Sequence, residues 1–384
     1  MAAIVLNGIT WGHSRGITPL LAFSQRYNER HPEVEIRWKK RTLQEFADFP
    51  IEKLTREYDL LIIDHPWVGC AAATHCVLPL DEYLPAAYLQ DQAAHSVGLS
   101  HPSYIYNNKQ WALAIDAATP AASYRKDLLP HPPQTWEDVI ALADKGKVAV
   151  PAIPIDLLMN FYSFCIASGK EPFLSQEEII DEATGIRAIQ TMKQLYSRID
   201  RRFYNCNPIA VAELMSATDD YWYCPFAYGY SNYSRSGYAR HVLYYTDVVT
   251  INGEKLKTTI GGTGLSVSAF SAHKETALDV AAELVSGECQ RTLYMEHGGQ
   301  PGHRSAWLDE AANRLTHGFF ENVLPLMDRG YMRPRYNGYL YFQDHAGDPL
   351  QECLLHDGDP ATALATMNRI YQQSLLKNVS TVDA

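Results

Sequence analysis

The sequence lacks the short motifs that mark the common catalytic, nucleotide and metal sites. Its seven cysteines include no Cys-x-x-Cys pair, and its 14 histidines include no His-Glu-x-x-His pattern. A phosphate-binding loop is also missing, because Ser168-Gly169-Lys170 follows Phe164 where that loop needs glycine. The adjacent pair Asp64-His65 does not by itself predict a metal site. We therefore expect no metal and no cofactor.

Positive charge is also scarce. Lysine and arginine number 33 against 44 aspartates and glutamates, so the formal net charge is −11. The cluster Lys39-Lys40-Arg41 is short and is typical of a solvated strand end. Because a negative chain repels phosphate backbones, we expect no nucleic-acid partner.

Neither a long apolar run nor an export signal is visible. No segment approaches the roughly 18 apolar residues that cross a bilayer. Met1 is followed by Ala-Ala-Ile-Val-Leu rather than by a basic start and a long apolar stretch. The odd number of scattered cysteines predicts buried free thiols, which suit a reducing compartment. We therefore expect either that a signal was removed before Met1 was added or that the protein stays in the cytoplasm.

The opening of the chain indicates an α/β fold, and 384 residues suggest about two domains. Ile4–Leu6 predicts a strand, and Thr18 followed by Pro19 predicts the N-cap and first residue of a helix. An alternating segment at 34–38 predicts a second strand. The continuous apolar run Leu60–Ile63 predicts a central parallel strand that is buried on both faces. This βαβ order is typical of α/β proteins.

Polar and aromatic side chains follow three of the predicted strands. Open α/β sheets bind ligands in the crevice outside the carboxyl ends of their strands. We therefore predict a ligand-binding rim, and its candidate residues at the strand ends are Trp11, His13, Asp64, His65, Asp116 and Thr119.

One motif favours an alternative function. Gly12-His13-Ser14-Arg15-Gly16 matches the nucleophile elbow of serine hydrolases, with His297-Gly298-Gly299 as an oxyanion loop. In that fold the oxyanion loop precedes the nucleophile, whereas here it follows far downstream. The order therefore argues against a hydrolase that uses Ser14.

The succession of three segments resembles the extracellular solute-binding proteins of ATP-driven importers, in their sugar-type, maltose-binding-like class. No single motif is specific, but their order holds from about residue 4 to 370. The segments are the run of 109–116, 124–129 and 132–138, then Gly261–Val267 with Ser271, Lys274 and Glu275, then Gly298–Arg304.

The resemblance implies a type II periplasmic-binding-protein-like fold, with two α/β lobes and a ligand cleft between them. It places residues 1–115 and 262–312 in a discontinuous N-terminal lobe, and 118–258 and 313–384 in a C-terminal lobe. The crossings are expected near 116–119 and 257–262. Hinge closure of the lobes on a ligand is implied as well.

The same resemblance adds candidate ligand contacts by position. They are Trp222, Tyr223 and Tyr228 as stacking aromatics, Gly262 and Thr263 at the return crossing, Arg304 after the Gly-x-x-Pro turn, and Tyr341 and Gln343 in an aromatic loop.

The implied function is capture of a small polar ligand, a sugar or sugar derivative, for import and without catalysis. Arg304 and His65 could instead take the anionic group of an acidic ligand. The resemblance implies a periplasmic or extracytoplasmic monomer that delivers its ligand to the membrane subunits of a transporter. A cytoplasmic protein that senses or stores the ligand is the alternative.

Overall fold

The computed structural model describes residues 4–42 and 50–379, with side chains as far as Lys377. Its strands are mostly short, and several are pairs of residues that form small ladders. In chain order they are β1 (Ile4–Trp11), β2 (Val34–Arg41), β3 (Leu60–Ile63), β4 (Ile105–Tyr106), β5 (Lys109–Gln110), β6 (Leu113–Ala118), β7 (Pro120–Tyr124), β8 (Tyr223–Tyr228), β9 (Tyr244–Thr246), β10 (Thr250–Ile251), β11 (Glu254–Lys255) and β12 (Gly261–Val267).

Helices make up much of the rest of the described chain. In chain order they are α1 (Ser14–Arg30), α2 (Ile51–Leu54), α3 (Val68–Thr74), α4 (Ala86–Ala94), α5 (Ser100–Ser103), α6 (Trp136–Ala143), α7 (Pro154–Ala167), α8 (Glu182–Tyr196), α9 (Pro208–Ala217), α10 (Lys274–Leu284), α11 (Gly287–Cys289), α12 (Arg304–Trp307), α13 (Glu310–Leu315), α14 (Phe319–Asp328), α15 (Tyr339–Leu355) and α16 (Pro360–Val379).

The described residues divide into two compact units. Unit 1 contains those within Met1–Ala118, Gly261–Arg314 and Arg335–Asn337, and unit 2 contains the remainder. The expected boundaries had assigned 335–337 to the second lobe. In the structure Arg335 donates to the carbonyl oxygens of Pro102 and Ser103, which ties this short segment to unit 1. The chain therefore returns to unit 1 once more than we expected.

Unit 1 is built on a five-stranded sheet in the order β2-β1-β3-β12-β6. β3 lies in the middle, and all four of its residues are buried, which confirms a central buried strand, but the predicted parallel pairing holds on one side only. It runs parallel to β1 and antiparallel to β12. β6 is antiparallel to β12, and so it has the same direction as β1 and β3. Since β2 is also parallel to β1, the carboxyl ends of four strands lie at one edge of the sheet.

Helix α1 begins earlier than the sequence predicted. Its N-cap is His13, whose Nδ1 accepts a hydrogen bond from the backbone nitrogen of Arg15. Thr18 is therefore not the cap, and Pro19 lies inside the helix, where it lacks the N–H for one backbone hydrogen bond. The predicted apolar face is confirmed, because Leu20, Phe23 and Tyr27 are all buried against the sheet core.

Unit 2 combines a small antiparallel sheet, in the order β8-β7-β9, with long helices. Its core is rich in aromatic rings. Trp136 and Phe164 meet edge to face at 5.2 Å between centroids, and Phe226 contacts both. Such pairs add directional contacts to the burial of apolar surface.

The seven cysteines are free thiols, as predicted, and five of them are buried. No helix in the described part of the chain is both long and apolar enough to cross a membrane.

Candidate functional site

The carboxyl edge of the unit 1 sheet carries many of the predicted residues. We use this name for residues 11–15, 64–65 and 116–118, which end β1, β3 and β6, together with 261–263 at the start of β12. β12 begins at this edge because it runs antiparallel to its neighbours. Strand direction thus gathers segments that are far apart in the chain.

A buried ion pair between Arg15 and Asp116 dominates this edge. Arg15 Nε donates to Asp116 Oδ2 at 2.8 Å, and Arg15 Nη2 donates to Oδ1. Arg15 is 4% exposed and Asp116 is 1% exposed. Burial raises the pKa of Asp116, and the guanidinium of Arg15 acts in the opposite direction. Asp116 was predicted as a ligand contact, but both of its carboxylate oxygens accept hydrogen bonds from Arg15. In the structure Asp116 therefore holds the Arg15 side chain.

Gly262 and Thr263 lie beside this pair, as partners of Ala117 and Asp116 in the β6–β12 ladder. Gly262 has a φ of +94°, and a Cβ there would lie 2.2 Å from the carbonyl oxygen of Asp116. Only glycine fits this close approach. Thr263 is 4% exposed, and its hydroxyl has no hydrogen-bond partner in the described part of the chain.

Trp11 and His13 are held by local structure at the end of β1. The Trp11 ring packs over Gly16, where a Cβ would lie 2.4 Å from it, and it belongs to the apolar core. Burial and the nearby Arg15 lower the pKa of His13 to about 4. The Nδ1 of His13 caps α1, and Ser14 is the first residue of that helix. The glycine-rich motif is thus a strand-to-helix turn.

Asp64 and His65 follow β3. Asp64 caps the short helical turn His65–Trp67 by accepting from the backbone nitrogen of His65 at 2.8 Å. The His65 ring is 1% exposed and meets Tyr104 edge to face at 6.5 Å. The imidazole of His65 is thus enclosed by its own neighbours, and its role as a ligand contact stays a prediction.

A cluster of hydroxyl groups lies at one end of the unit 2 sheet. Thr119 Oγ1 is 2.6 Å from Thr258 Oγ1 and donates to the carbonyl oxygen of Thr259 at 2.9 Å. The Tyr228 hydroxyl is 3.0 Å from Thr259 Oγ1, and its ring is partly exposed. Two of these four residues, Thr119 and Tyr228, were predicted from the sequence.

The other two predicted aromatics lie at the opposite end of the same sheet. Tyr228 pairs with Pro120, whereas Tyr223 pairs with Tyr124. Five residues of strand separate Tyr223 from Tyr228, which is about 17 Å. Tyr223 is fully buried, and Trp222 donates from Nε1 to the carbonyl oxygen of Asp219. Trp222 and Tyr223 thus lie at the end of the sheet away from Tyr228, and their role as ligand contacts stays a prediction.

The remaining candidates are scattered. Arg304 opens α12, and its backbone nitrogen donates to the carbonyl oxygen of His95 at 2.6 Å. Tyr341, on α15, donates to Gln373 Oε1 at 3.2 Å. Gln343 is 2% exposed and accepts from Arg333 Nη1 at 2.7 Å. Tyr341 and Gln343 thus join helices and loops of unit 2, which corrects their prediction as members of an aromatic binding loop.

Sequence reasoning missed some polar residues at these positions. Arg15 lies inside the glycine motif, but it was not among the predicted ligand contacts. Gln300 is 1% exposed and donates from Nε2 to the carbonyl oxygen of Ala117 at 2.7 Å. Thr258 and Thr259 complete the hydroxyl cluster. The signal available in the sequence was an arginine between the strand end and the predicted helix, and in the structure it is the second residue of α1.

Solved structures share this fold across nearly the whole chain. Maltose-bound MalE3 of T. maritima covers 97% of this chain and all of its own, at 16% identity and a TM-score of 0.85. A solute-binding protein of Agrobacterium radiobacter K84 in complex with ribitol covers 96% and 98%, at 18% identity and a TM-score of 0.79. The maltotriose-bound protein of Thermus thermophilus covers 97% and 100%, at 20% identity and a TM-score of 0.77. At these identities the likeness establishes the type II periplasmic-binding-protein fold.

Sequence comparison adds a partial relative and a family. The chain is 27% identical over 124 residues to the maltotriose-binding protein of Pyrococcus abyssi, and the match spans 32% of this chain and about a quarter, 26%, of that relative's length. A family model described as bacterial extracellular solute-binding protein matches residues 23–315, well over half of the chain. The chain therefore belongs to the bacterial extracellular solute-binding protein family.

Proposed function

We propose that this protein captures a small polar ligand of the sugar class, by closure of its two lobes, for import by an ABC-type transporter. The observation that carries the proposal is the family match over residues 23–315, joined to a shared fold with proteins solved with maltose, maltotriose and ribitol. All three of those ligands are rich in hydroxyl groups.

The described side chains suit such a ligand in unit 2. Thr119, Thr258 and Thr259 are at most 1% exposed, and Thr259 holds the Tyr228 hydroxyl at 3.0 Å. Tyr228 is therefore the member of the cluster whose hydroxyl can donate to or accept from a polyol. The partly exposed ring of Tyr228 adds an apolar face of the kind that covers a sugar ring. We propose Tyr228 as the ligand contact of this cluster.

Unit 1 contributes through the carboxyl edge of its sheet. We propose that Arg15, oriented by Asp116, and the hydroxyl of Thr263 line the binding surface there. A guanidinium held by a carboxylate is rigid, and so its position at this edge is fixed. Asp116 is then a positioning residue rather than a ligand contact.

The proposal includes action without catalysis and a location outside the cytoplasm. The relatives and the family are binding proteins. Recovery of the bound sugar unchanged after long incubation would support the absence of turnover. If the sugar is consumed by the parent protein but recovered unchanged from the Ser14→Ala variant, the hydrolase alternative is favoured instead.

A thermal-shift screen followed by calorimetry tests the ligand class. The panel should hold maltose, maltotriose, ribitol, monosaccharides, sugar acids and amino acids. A ligand at 100 times its Kd stabilises the folded state by about 2.7 kcal/mol, which is easily measured. We expect a neutral sugar or polyol to give the largest shift, and a small-angle scattering radius that decreases when it binds.

Matched tyrosine variants test the site. We expect Tyr228→Ala to weaken binding of the identified sugar at least tenfold, because it removes a ring face and a hydroxyl from the cluster. Tyr341→Ala is the control, since that side chain bonds to Gln373 on a neighbouring helix. Equal affinities of the two variants would place the ligand elsewhere, and a shift from sugar acids alone would replace the neutral-sugar proposal with an acidic ligand.

A further inference from the structure

Three side chains with metal-ligating atoms meet on unit 1. Asp91 lies on α4, His95 follows directly after that helix, and His303 directly precedes α12. One ligand atom from each lies within 4.8 Å of the others. The 14 histidines are dispersed along the chain, and so the sequence analysis predicted no metal site.

The distances already approach those of a coordinated ion. His303 Nε2 is 3.3 Å from Asp91 Oδ2, and His95 Nδ1 is 2.9 Å from Asp91 Oδ1. Two ligands at the usual zinc distances of about 2.0–2.2 Å, arranged tetrahedrally, are separated by roughly 3.3–3.5 Å. The His303–Asp91 pair therefore has the spacing that a metal between them requires.

His303 is held in place before any ion binds. The side chain is 4% exposed, and its Nδ1 is 2.8 Å from Ser305 Oγ. Its ring packs on Gly287, where a Cβ would lie 2.8 Å from the ring. In the present arrangement Nδ1 accepts a hydrogen bond from the backbone nitrogen of Ser305 at 3.3 Å. Metal binding through Nε2 requires the ring proton on Nδ1, and Ser305 Oγ is then its acceptor.

His95 supplies the adjustable ligand. Its ring stacks on that of His303 at 4.7 Å between centroids and 18° between planes. An ion in the plane of both rings requires one of them to turn, and the side chain of His95, 46% exposed, has room to do so. The backbone keeps the two histidines together, because the nitrogen of Arg304 donates to the carbonyl oxygen of His95.

We propose that Asp91, His95 and His303 bind a divalent transition-metal ion of the zinc type. Two imidazoles and one carboxylate form a ligand set that suits Zn²⁺, and the half-exposed position leaves the fourth site to water. The ion would join the end of α4 to the segment before α12, which lies 208 or more residues later in the chain. This proposal stands independently of the sugar ligand.

Zinc titration of the untagged, chelator-treated protein tests the site. We expect calorimetry with ZnCl₂ to show one site with a Kd in the micromolar range or below, and zinc to raise the Tm. Asp91→Asn and His95→Ala should each weaken zinc binding at least tenfold and abolish the rise in Tm. These two side chains are 50% and 46% exposed, so their replacement removes little packing, and circular dichroism verifies the fold.

His356→Ala is the matched control. His356 lies 3.5 Å from Glu352 in the same i, i+4 arrangement, but across the described ranges no third ligand joins that pair. Zinc affinity should be unchanged in this variant. Absence of zinc binding by the parent protein, or equal affinity of the parent, Asp91→Asn and His95→Ala proteins, would overturn the proposal.

Discussion

Asp116 in unit 1 and Asp156 in unit 2 are both buried, but their surroundings differ. Asp116 accepts two N–H donors from Arg15. Asp156 lies in the first turn of α7, and its Oδ2 has no hydrogen-bond partner within residues 4–42 and 50–379. Burial raises the pKa of Asp156 to about 8, whereas Arg15 opposes the effect of burial on Asp116.

The contrast shows two ways in which a protein accommodates a buried carboxyl group. A bidentate arginine keeps the group charged and fixes its geometry, which suits a position beside a proposed binding surface. A carboxyl without a partner keeps its proton instead, because an isolated charge is costly to bury. Unit 1 therefore holds an oriented charge at its sheet edge, and unit 2 holds a neutral acid in its core.

The largest expected effect comes from breaking the ion pair in unit 1. Arg15→Met leaves Asp116 buried without its partner, and we expect the free energy of unfolding to fall by about 3–5 kcal/mol. Urea denaturation followed by tryptophan fluorescence and circular dichroism measures it. Arg37→Met is the control, because Arg37 pairs with Glu35 on the surface of the same unit and should cost less than about 1 kcal/mol. Similar losses in the two variants would contradict the importance of burial.

A pH series tests the acid in unit 2. Between about pH 4 and pH 8 the folded state holds the Asp156 proton and the unfolded chain does not, so stability falls as the pH rises through this window. The loss should be on the order of 3 kcal/mol between pH 5 and pH 8. Asp156→Asn should flatten the dependence, whereas the exposed Asp348→Asn should leave it in place. A parent-like slope in Asp156→Asn would show that other groups cause it.

The smallest of the three effects compares two glycines with positive φ. Gly262→Ala in unit 1 combines a φ of +94° with a contact to the Asp116 backbone, and should cost about 2 kcal/mol. Gly146 in unit 2 has a φ of +69° and open space around it, so Gly146→Ala should cost about 1 kcal/mol. Equal changes in Tm would mean that β6 and β12 can move apart to accept the added methyl group with little loss of stability.

Local sequence patterns were sufficient to predict an element when a single apolar run or a single apolar helix face identified it. The buried strand Leu60–Ile63 and the apolar face of α1 were predicted because burial imposes a periodicity that the sequence records directly. The predicted start of α1 was wrong. Thr18-Pro19 has the residue types of a helix start, but the N-cap in the structure is His13. Caps depend on one hydrogen bond, and several residue types can supply it.

The residues of the candidate site were likewise predicted only in part from local patterns. Residues at the ends of β1, β3 and β6 were predicted because parallel strands bring their carboxyl ends to one edge. Trp222 and Tyr223 were separated from Tyr228 by strand register, which residue type does not reveal. Whether the ligand contacts these residues remains a prediction that the tyrosine variants test.

The sequence alone determined the α/β class, the succession of segments that indicates the solute-binding family, and the strand ends from which polar side chains project. These properties depend on patterns within a few residues or on their order along the chain. Only the tertiary structure decided that Arg15 reaches Asp116, 101 residues away, and that His303 meets Asp91, 212 residues away. Such pairs depend on how strands and helices pack. Local sequence patterns do not show which distant residues are brought together by that packing.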